Sequence, residues 1–199
     1  MTLQTKHSYD AVFDSQKTYR LMLEAMSNPT RIVDISQMLP KFSASTGIHA
    51  AFLAVAMTLL DNEVSFCAYK NPSLSDEIAS LTLAATASVE TADYLFVSNS
   101  NDIHSVIWYA KCGTLSDPHK SATVIIENDS MPDCELTFYG PGINGSATVQ
   151  TTQTVKEAII RRDAREYEYP EGVDLIFVSS VGEMFAIPRL VRYLVHCDE

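Results

Sequence analysis

Apolar residues recur at helical spacing in several stretches of the chain, and short apolar runs typical of strands lie between them. The first helix is predicted from Asp14 or Ser15 to about Ser27, and it ends there because the residue before Pro29 avoids the α region. Later helices are predicted over 46–60, 73–87, 101–113 and from Thr152 or Thr154 through Arg162. Strands are predicted over 31–35, 64–69, 94–97, 123–126, 136–139, 173–178 and 184–187.

This alternation of helices and strands predicts an α/β fold, in a single layered domain over residues 1–199, with helices covering a sheet. Some of the predicted strands are joined by short turns. Since a short turn can join only antiparallel neighbours, the sheet is predicted to be mixed.

The uncharged stretch 43–60 raises the question of a membrane span. Its mostly apolar part, 48–60, is about thirteen residues long, whereas a span needs about twenty. A buried core helix is therefore predicted, and no membrane association is expected. The start of the chain has no apolar run typical of a signal peptide, so a cytoplasmic protein is predicted.

Composition narrows the class of protein and of partner. The chain has 199 residues, of which 46 % are hydrophobic and 20 % charged, as in ordinary globular domains. Fourteen basic residues face twenty-five acidic ones, which gives a formal net charge of -11. Such a field repels the phosphates of nucleic acids and anionic lipids, so neither is expected as a partner.

Cysteine and histidine spacing shows no recognised metal or redox motif. The cysteines form no C-x-x-C pair, and free thiols are expected. His49 and His104 lie on predicted helices, where a hydrogen-bonded histidine is weighed against a metal ligand. His104 and Cys112 would share a helix face if the helix extended that far, whereas the adjacent His196 and Cys197 are expected to point apart. No catalytic residue or metal ligand is predicted.

The segment 140–145, Gly-Pro-Gly-Ile-Asn-Gly, matches G-x-G-x-x-G as a bare pattern after a strand-like run. A dinucleotide site needs a helix to open within that motif, so that its amides meet the pyrophosphate. Here 146–150 is typical of extended chain, and Pro141 has no amide hydrogen to donate. A glycine-rich turn between strands is the favoured interpretation.

A few arginines in this acidic chain are candidates for holding an anion, namely Arg20, Arg31, Arg189 and Arg192. A guanidinium group can bind a phosphate or carboxylate through two parallel hydrogen bonds. Arg20 and Arg189 flank apolar runs, and together with the turn residues Gly140 and Gly142 they form the predicted ligand-binding set. The alternative for each arginine is an ion pair with a carboxylate of the same chain.

Three motifs together carry a resemblance to a known family. They are QKTYRLMLEAMSNP at 16–29, YGPGI at 139–143, and PEGVDLI at 170–176 followed by AIPR at 186–189. In this order they resemble the PhnH family of phosphonate-metabolism proteins, subunits of the bacterial carbon–phosphorus lyase core complex. Two departures are Thr30, where the family often has glycine, and Leu190-Val191, which replace a threonine pair.

The resemblance implies a fold similar to that of the pyridoxal-phosphate-dependent transferases, without a bound cofactor. It also implies a homodimer that joins subunits G, I and J of the complex. That assembly, with ATP, exchanges adenine for an alkylphosphonate and gives a ribose 1-phosphonate 5-triphosphate. The chemistry is assigned to subunit I and later to the iron–sulfur subunit J, so the role implied for this chain is accessory. No lysine stands out as a Schiff-base residue.

Two other functions stay open at this point. One is an independent phosphate- or nucleotide-using transferase, with Arg20 and Arg189 binding the anion, and the other is a nicotinamide oxidoreductase. Four aromatic residues are weighed as anchors for partner subunits against simple core packing: Tyr19, Phe42, Trp108 and Tyr193.

Overall fold

The computed structural model describes residues 7–43 and 45–194. Its α-helices are α1 (Phe13–Ser27), α2 (Ile48–Leu59), α3 (Pro72–Thr82), α4 (Ser100–Tyr109) and α5 (Gln153–Asp163). Its strands are β1 (Val33–Asp34), β2 (Ser65–Ala68), β3 (Ala85–Thr86), β4 (Tyr94–Val97), β5 (Thr123–Glu127), β6 (Cys134–Tyr139), β7 (Ser146–Thr151), β8 (Asp174–Val178), β9 (Glu183–Ile187) and β10 (Arg192–Leu194). Short 3-10 helices cover Ser36–Lys41 and Pro118–Lys120.

The main sheet has seven strands in the order β1-β9-β8-β5-β4-β2-β3. Strands β3, β2, β4, β5 and β8 are parallel to one another. Strand β9 is antiparallel to both of its neighbours, β8 and β1. A smaller antiparallel sheet has the order β10-β6-β7. The prediction of an α/β fold with a mixed sheet is confirmed.

The hydrophobic core lies on both faces of the main sheet. Along β8, Leu175 and Phe177 belong to one apolar cluster, and Ile176 and Val178 belong to the other. This alternation follows from the strand period of two, and it makes every residue of β8 buried. Helices α1, α2 and α3 cover one face, whereas α4 and α5 cover the opposite face.

Helix α2 is the most deeply buried helix of the described chain. Every residue from 50 to 56 is fully buried within the first apolar cluster. The core helix predicted for the uncharged stretch is therefore confirmed. In the part of the chain that the structure describes, no helix has the length and hydrophobicity needed to cross a bilayer.

Two helices end earlier than the sequence predicts. Helix α3 stops at Thr82, because Leu83 adopts a left-handed conformation (φ 62°) and the next residues pair with β2 as strand β3. Helix α4 stops at Tyr109, because Ala110 leaves the helical region with φ -56° and ψ 138°. Cys112 consequently lies outside the helix that was expected to carry it. Strand β10 and the 3-10 helices were not predicted.

Candidate functional site

The three sequence motifs meet in space, although they are far apart along the chain. A methyl group on Gly142 of the second motif would lie 2.6 Å from Pro29 Cδ and 2.6 Å from the carbonyl oxygen of Ser27, both in the first motif. A methyl group on Gly140 would lie 2.9 Å from the carbonyl oxygen of Leu190, which follows the third motif. The glycine turn therefore packs between the end of α1 and the chain that leaves β9.

Both motif glycines also need the conformational freedom that glycine provides. Gly140 and Gly142 have φ angles of 131° and 83°, which residues with a Cβ rarely adopt. After the turn the chain enters β7, and α5 begins only at Gln153. The extended chain predicted after the glycines is thus confirmed. In the described structure the turn serves close main-chain packing, and its ligand-binding role stays a prediction.

Arg189 uses its donors within the protein. Its main-chain N–H donates to Asp174 Oδ1 at 2.7 Å, and its guanidinium group donates to both carboxylate oxygens of Asp174. Another guanidinium nitrogen donates to the carbonyl oxygen of Pro118 at 2.6 Å. The ion pair connects the chain after the end of β9 to the start of β8. An ion pair within the chain was the alternative interpretation of this arginine, and it is the arrangement observed. An anion-binding role for Arg189 stays a prediction.

Arg162 is a structural residue that was not among the candidate arginines named from the sequence. It is 1 % exposed, and its guanidinium group donates to the carbonyl oxygens of Ile187 (3.3 Å), Pro188 (3.1 Å) and Val191 (2.5 Å) and to Asp163 Oδ1 (2.8 Å). Burial lowers the pKa of this guanidinium from its ordinary value. Arg162 lies at helical spacing from the buried residues Val155 and Ile159 on α5, and this spacing could have indicated its burial.

Arg20 has the opposite environment. It lies exposed on α1, and among the described residues its guanidinium group has no hydrogen-bond or ion-pair partner. The structure therefore brings Arg189 and the two glycines into one region, whereas Arg20 is an exposed cation without a partner among the described residues.

A cleft of about 350 Å³ lies where β5 and β8 end, beside β7. Its lining includes Thr30 and Ile32 after α1, Asn128 after β5, Ser179 after β8 and Glu183 at the start of β9. The remaining lining residues are Ser130, Pro132, Val149, Gln150, Thr151, Thr152, Phe177 and Phe185. Such a position, beyond the carboxyl ends of parallel strands, is where α/β proteins commonly bind ligands.

The lining of this cleft consists of hydroxyl, amide and apolar groups with one carboxylate, that of Glu183. The hydroxyl of Thr152 donates to Asn128 Oδ1 at 2.6 Å and accepts from the N–H of Val155 at 3.3 Å, so it caps α5. No lysine or arginine is among the lining residues. The cleft therefore suits a neutral or cationic group better than a triphosphate, and it offers no amine for a pyridoxal-phosphate Schiff base.

Comparison with known proteins places these features in a family. The family model described as "Bacterial phosphonate metabolism protein (PhnH)" matches residues 7–193. The chain belongs to the PhnH family. It is 28 % identical over 179 residues to the protein named "Putative C-P lyase subunit protein HtxG" of Stutzerimonas stutzeri, covering 87 % of this chain and 83 % of that relative. The resemblance seen in the three motifs is confirmed.

Thr30, the departure noted from the PhnH pattern, has an unusual backbone conformation. Its φ angle is 74°, in the left-handed region that a β-branched residue seldom occupies. Its N–H donates to the carbonyl oxygen of Ala186 at 3.4 Å, and the residue lines the cleft. Glycine would take the same φ angle without strain.

His49 and His7 share one carboxylate at the entrance to α2. His49 Nε2 lies 2.8 Å from Glu77 Oε2, and His7 Nε2 lies 3.2 Å from Glu77 Oε1. The hydroxyl of Ser45 also donates to Glu77, at 3.2 Å. His49 is thus hydrogen-bonded within the fold, which was one of the two interpretations weighed for it from the sequence. Among the described residues, no set of three His, Cys, Asp or Glu side chains is arranged to hold a metal ion.

The other candidate pair and the aromatic candidates have mixed outcomes. His104 is exposed on α4 while Cys112 lies beyond its end, so a shared helix face is not formed. His196 and Cys197 lie outside the described residues. Phe42 is 1 % exposed and packs against the rings of His7 and Tyr9, so the idea that it anchors a partner is wrong. The other three have separate environments: Tyr19 is exposed, Trp108 lies under Arg161, and Tyr193 packs partly on the core.

Proposed function

We propose that this chain is an accessory, non-catalytic subunit of a bacterial carbon–phosphorus lyase complex. The observation that carries the proposal is the PhnH family match over residues 7–193. The relative of Stutzerimonas stutzeri supports it, because its name describes a C–P lyase subunit. The contacts of Arg189 in the third motif and of Arg162 on α5 agree with it, since both arginines direct their donors to the protein's own carbonyl and carboxylate groups.

The finer parts of the proposal follow from the family. We infer a cytoplasmic protein of one domain that forms a homodimer and joins subunits G, I and J. It would support the formation of ribose 1-phosphonate 5-triphosphate from ATP and an alkylphosphonate without binding a cofactor itself. We further infer that the seven-stranded sheet is similar to that of the pyridoxal-phosphate-dependent transferases. Superposition of an experimental structure on such an enzyme tests this last point.

Co-expression with subunits G, I and J, followed by size-exclusion chromatography, tests the assembly. The expected result is co-elution of this chain with the other three subunits, and loss of ribose 1-phosphonate 5-triphosphate formation when this chain is omitted. If the other subunits assemble and act normally while this chain elutes separately, the proposal is wrong.

The second candidate function is an independent phosphate- or nucleotide-binding transferase. The exposed guanidinium group of Arg20 is the observation that favours it, because an arginine without a partner can hold an anion. Isothermal titration calorimetry of the isolated chain with ATP, an alkylphosphonate and pyridoxal phosphate separates the two functions. Saturable binding that disappears in Arg20→Ala would support the transferase, whereas an accessory subunit is expected to show no saturable heat.

A further inference from the structure

The outward side of α1 exposes three large apolar side chains beside polar ones such as Gln16 and Lys17. Its inward side buries Asp14, Thr18, Met22 and Ala25. The opposite side exposes Phe13 (66 %), Tyr19 (52 %) and Leu23 (55 %), which lie within three turns of one another. A surface helix normally presents polar residues to water. We call Phe13, Tyr19, Arg20 and Leu23 the outer face of α1.

Arg20 lies at the centre of this face and is available to a partner. The chain's other arginines make hydrogen bonds or ion pairs within the protein: Arg31 with Glu24, Arg161 with the carbonyl oxygen of His104, Arg165 with those of Ile107 and Ala110, and Arg162, Arg189 and Arg192 around the end of β9. Arginine and tyrosine are among the residues that are enriched at protein interfaces and that dominate their binding energy.

Charge decides between a second copy of this chain and a different protein as the occupant. In a two-fold symmetric pair, residues near the axis face their own copies. Because Arg20 is the midpoint of α1, pairing two outer faces there would bring two unpaired guanidinium groups together. The nearby carboxylate of Glu24 already lies 2.9 Å from Arg31. A different protein with a carboxylate and an apolar surface complements the face better.

We propose that the outer face of α1 docks a different subunit of the assembly, through an apolar surface that places a carboxylate against Arg20. The proposal rests on the proposed function, since it assigns a surface to a subunit of a larger complex. The apolar side chains would supply the buried area, and Arg20 would fix the register of the two surfaces.

Charge reversal tests the proposal in the complex. Arg20→Glu is co-expressed with subunits G, I and J, beside the wild-type chain and a control, Lys156→Glu, which reverses a charge on α5 at the opposite face of the main sheet. We expect Arg20→Glu to reduce the recovery of this chain with the complex at least tenfold, and Lys156→Glu to stay within twofold of wild type. Thermal unfolding of the isolated variants checks that both fold normally.

A second variant tests the apolar part of the face. Leu23→Asp is expected to reduce recovery with the complex as strongly as Arg20→Glu. Normal recovery of both variants overturns the assignment while leaving the proposed function intact. Failure of the wild-type chain to join the complex overturns the proposed function and this assignment together.

The oligomeric state of the isolated chain, measured by light scattering, separates the two occupants. Arg20→Glu should leave that state unchanged, because the face is assigned to a different protein. If the wild-type chain is a dimer and Arg20→Glu is a monomer, the face binds a second copy and the proposal is wrong.

Discussion

Arginine serves two different purposes at the end of β9 and on α1. At the end of β9, Arg162 and Arg189 are surrounded by carbonyl and carboxylate oxygens of the same chain. On α1, Arg20 projects to solvent among exposed apolar side chains. The comparison teaches that an arginine in an acidic chain indicates a binding role only when its exposure is also known. A buried guanidinium group needs acceptors within the protein, because its charge must be neutralised where it lies.

The free energy of unfolding should depend on the buried arginines more than on the exposed one. Removing a buried guanidinium takes a donor from several buried acceptors at once, and each hydrogen bond lost in the interior costs free energy. Removing an exposed guanidinium leaves only solvated groups behind. Four predictions about stability test this contrast between the end of β9 and α1, and they are ordered by the size of the expected effect.

Arg162→Ala should lower the free energy of unfolding by about 3–5 kcal/mol, because the Asp163 carboxylate and three carbonyl groups each lose the buried donor that Arg162 supplies. Urea denaturation measures this change. Arg161→Ala is the matched control, since Arg161 donates to the carbonyl oxygen of His104 and lies 4.0 Å over the Trp108 ring. We expect it to cost about 1 kcal/mol. Equal costs for the two variants would remove the contrast.

Gly142→Ala should lower the free energy of unfolding by about 2–3 kcal/mol, because the added methyl group meets Ser27 and Pro29 at the end of α1. Gly145→Ala is the control: its φ angle of 76° is similar, but a methyl group there meets nothing within 4 Å. It should cost only the left-handed backbone penalty, about 1 kcal/mol. Thermal or urea unfolding compares them, and similar costs would show that the motifs do not pack tightly.

Asp14→Asn should lower the free energy of unfolding at neutral pH by about 1–2 kcal/mol, since Lys41 Nζ donates to the buried Asp14 carboxylate at 2.6 Å. Burial by itself would raise the pKa of Asp14, but hydrogen bonds from Lys41 and the N–H of Asp10 hold it below its ordinary value.

Because the folded pKa of Asp14 is depressed, its contribution is complete above the unfolded pKa, about 4, and disappears as pH falls through the folded value. Denaturation between pH 6 and pH 2 should therefore show a shallower loss of stability for Asp14→Asn than for wild type. Parallel curves would contradict the assignment.

Thr30→Gly should raise the free energy of unfolding by about 0.5–1 kcal/mol, because relief of the left-handed strain exceeds the added entropy of the unfolded chain. Leu83→Gly is a useful comparison, since Leu83 has φ 62° and its side chain is 75 % exposed. A gain at Leu83 together with a loss at Thr30 would show that the threonine side chain stabilises the cleft by more than its strain costs.

Local sequence signals predicted most of the helices and strands. Strand β4 lies at 94–97 as predicted, and the buried α2 follows from an apolar run too short to span a bilayer. The errors are at places where long-range pairing overrides local preference. The stretch 83–87 was predicted as helix, but Ala85–Thr86 pair with β2 across the edge of the sheet. Such hydrogen bonds depend on a distant strand and leave no local trace.

The sequence by itself determined the α/β class and, through three ordered motifs, the PhnH family. These properties are encoded in the periodicity and order of residues along the chain, which can be recognised without knowing the fold. Only the tertiary structure decided that Arg189 pairs with Asp174, that Arg162 holds the chain after β9, and that Arg20 stays available on α1. The physical reason is that a charged side chain takes its role from the groups and the solvent that folding brings around it.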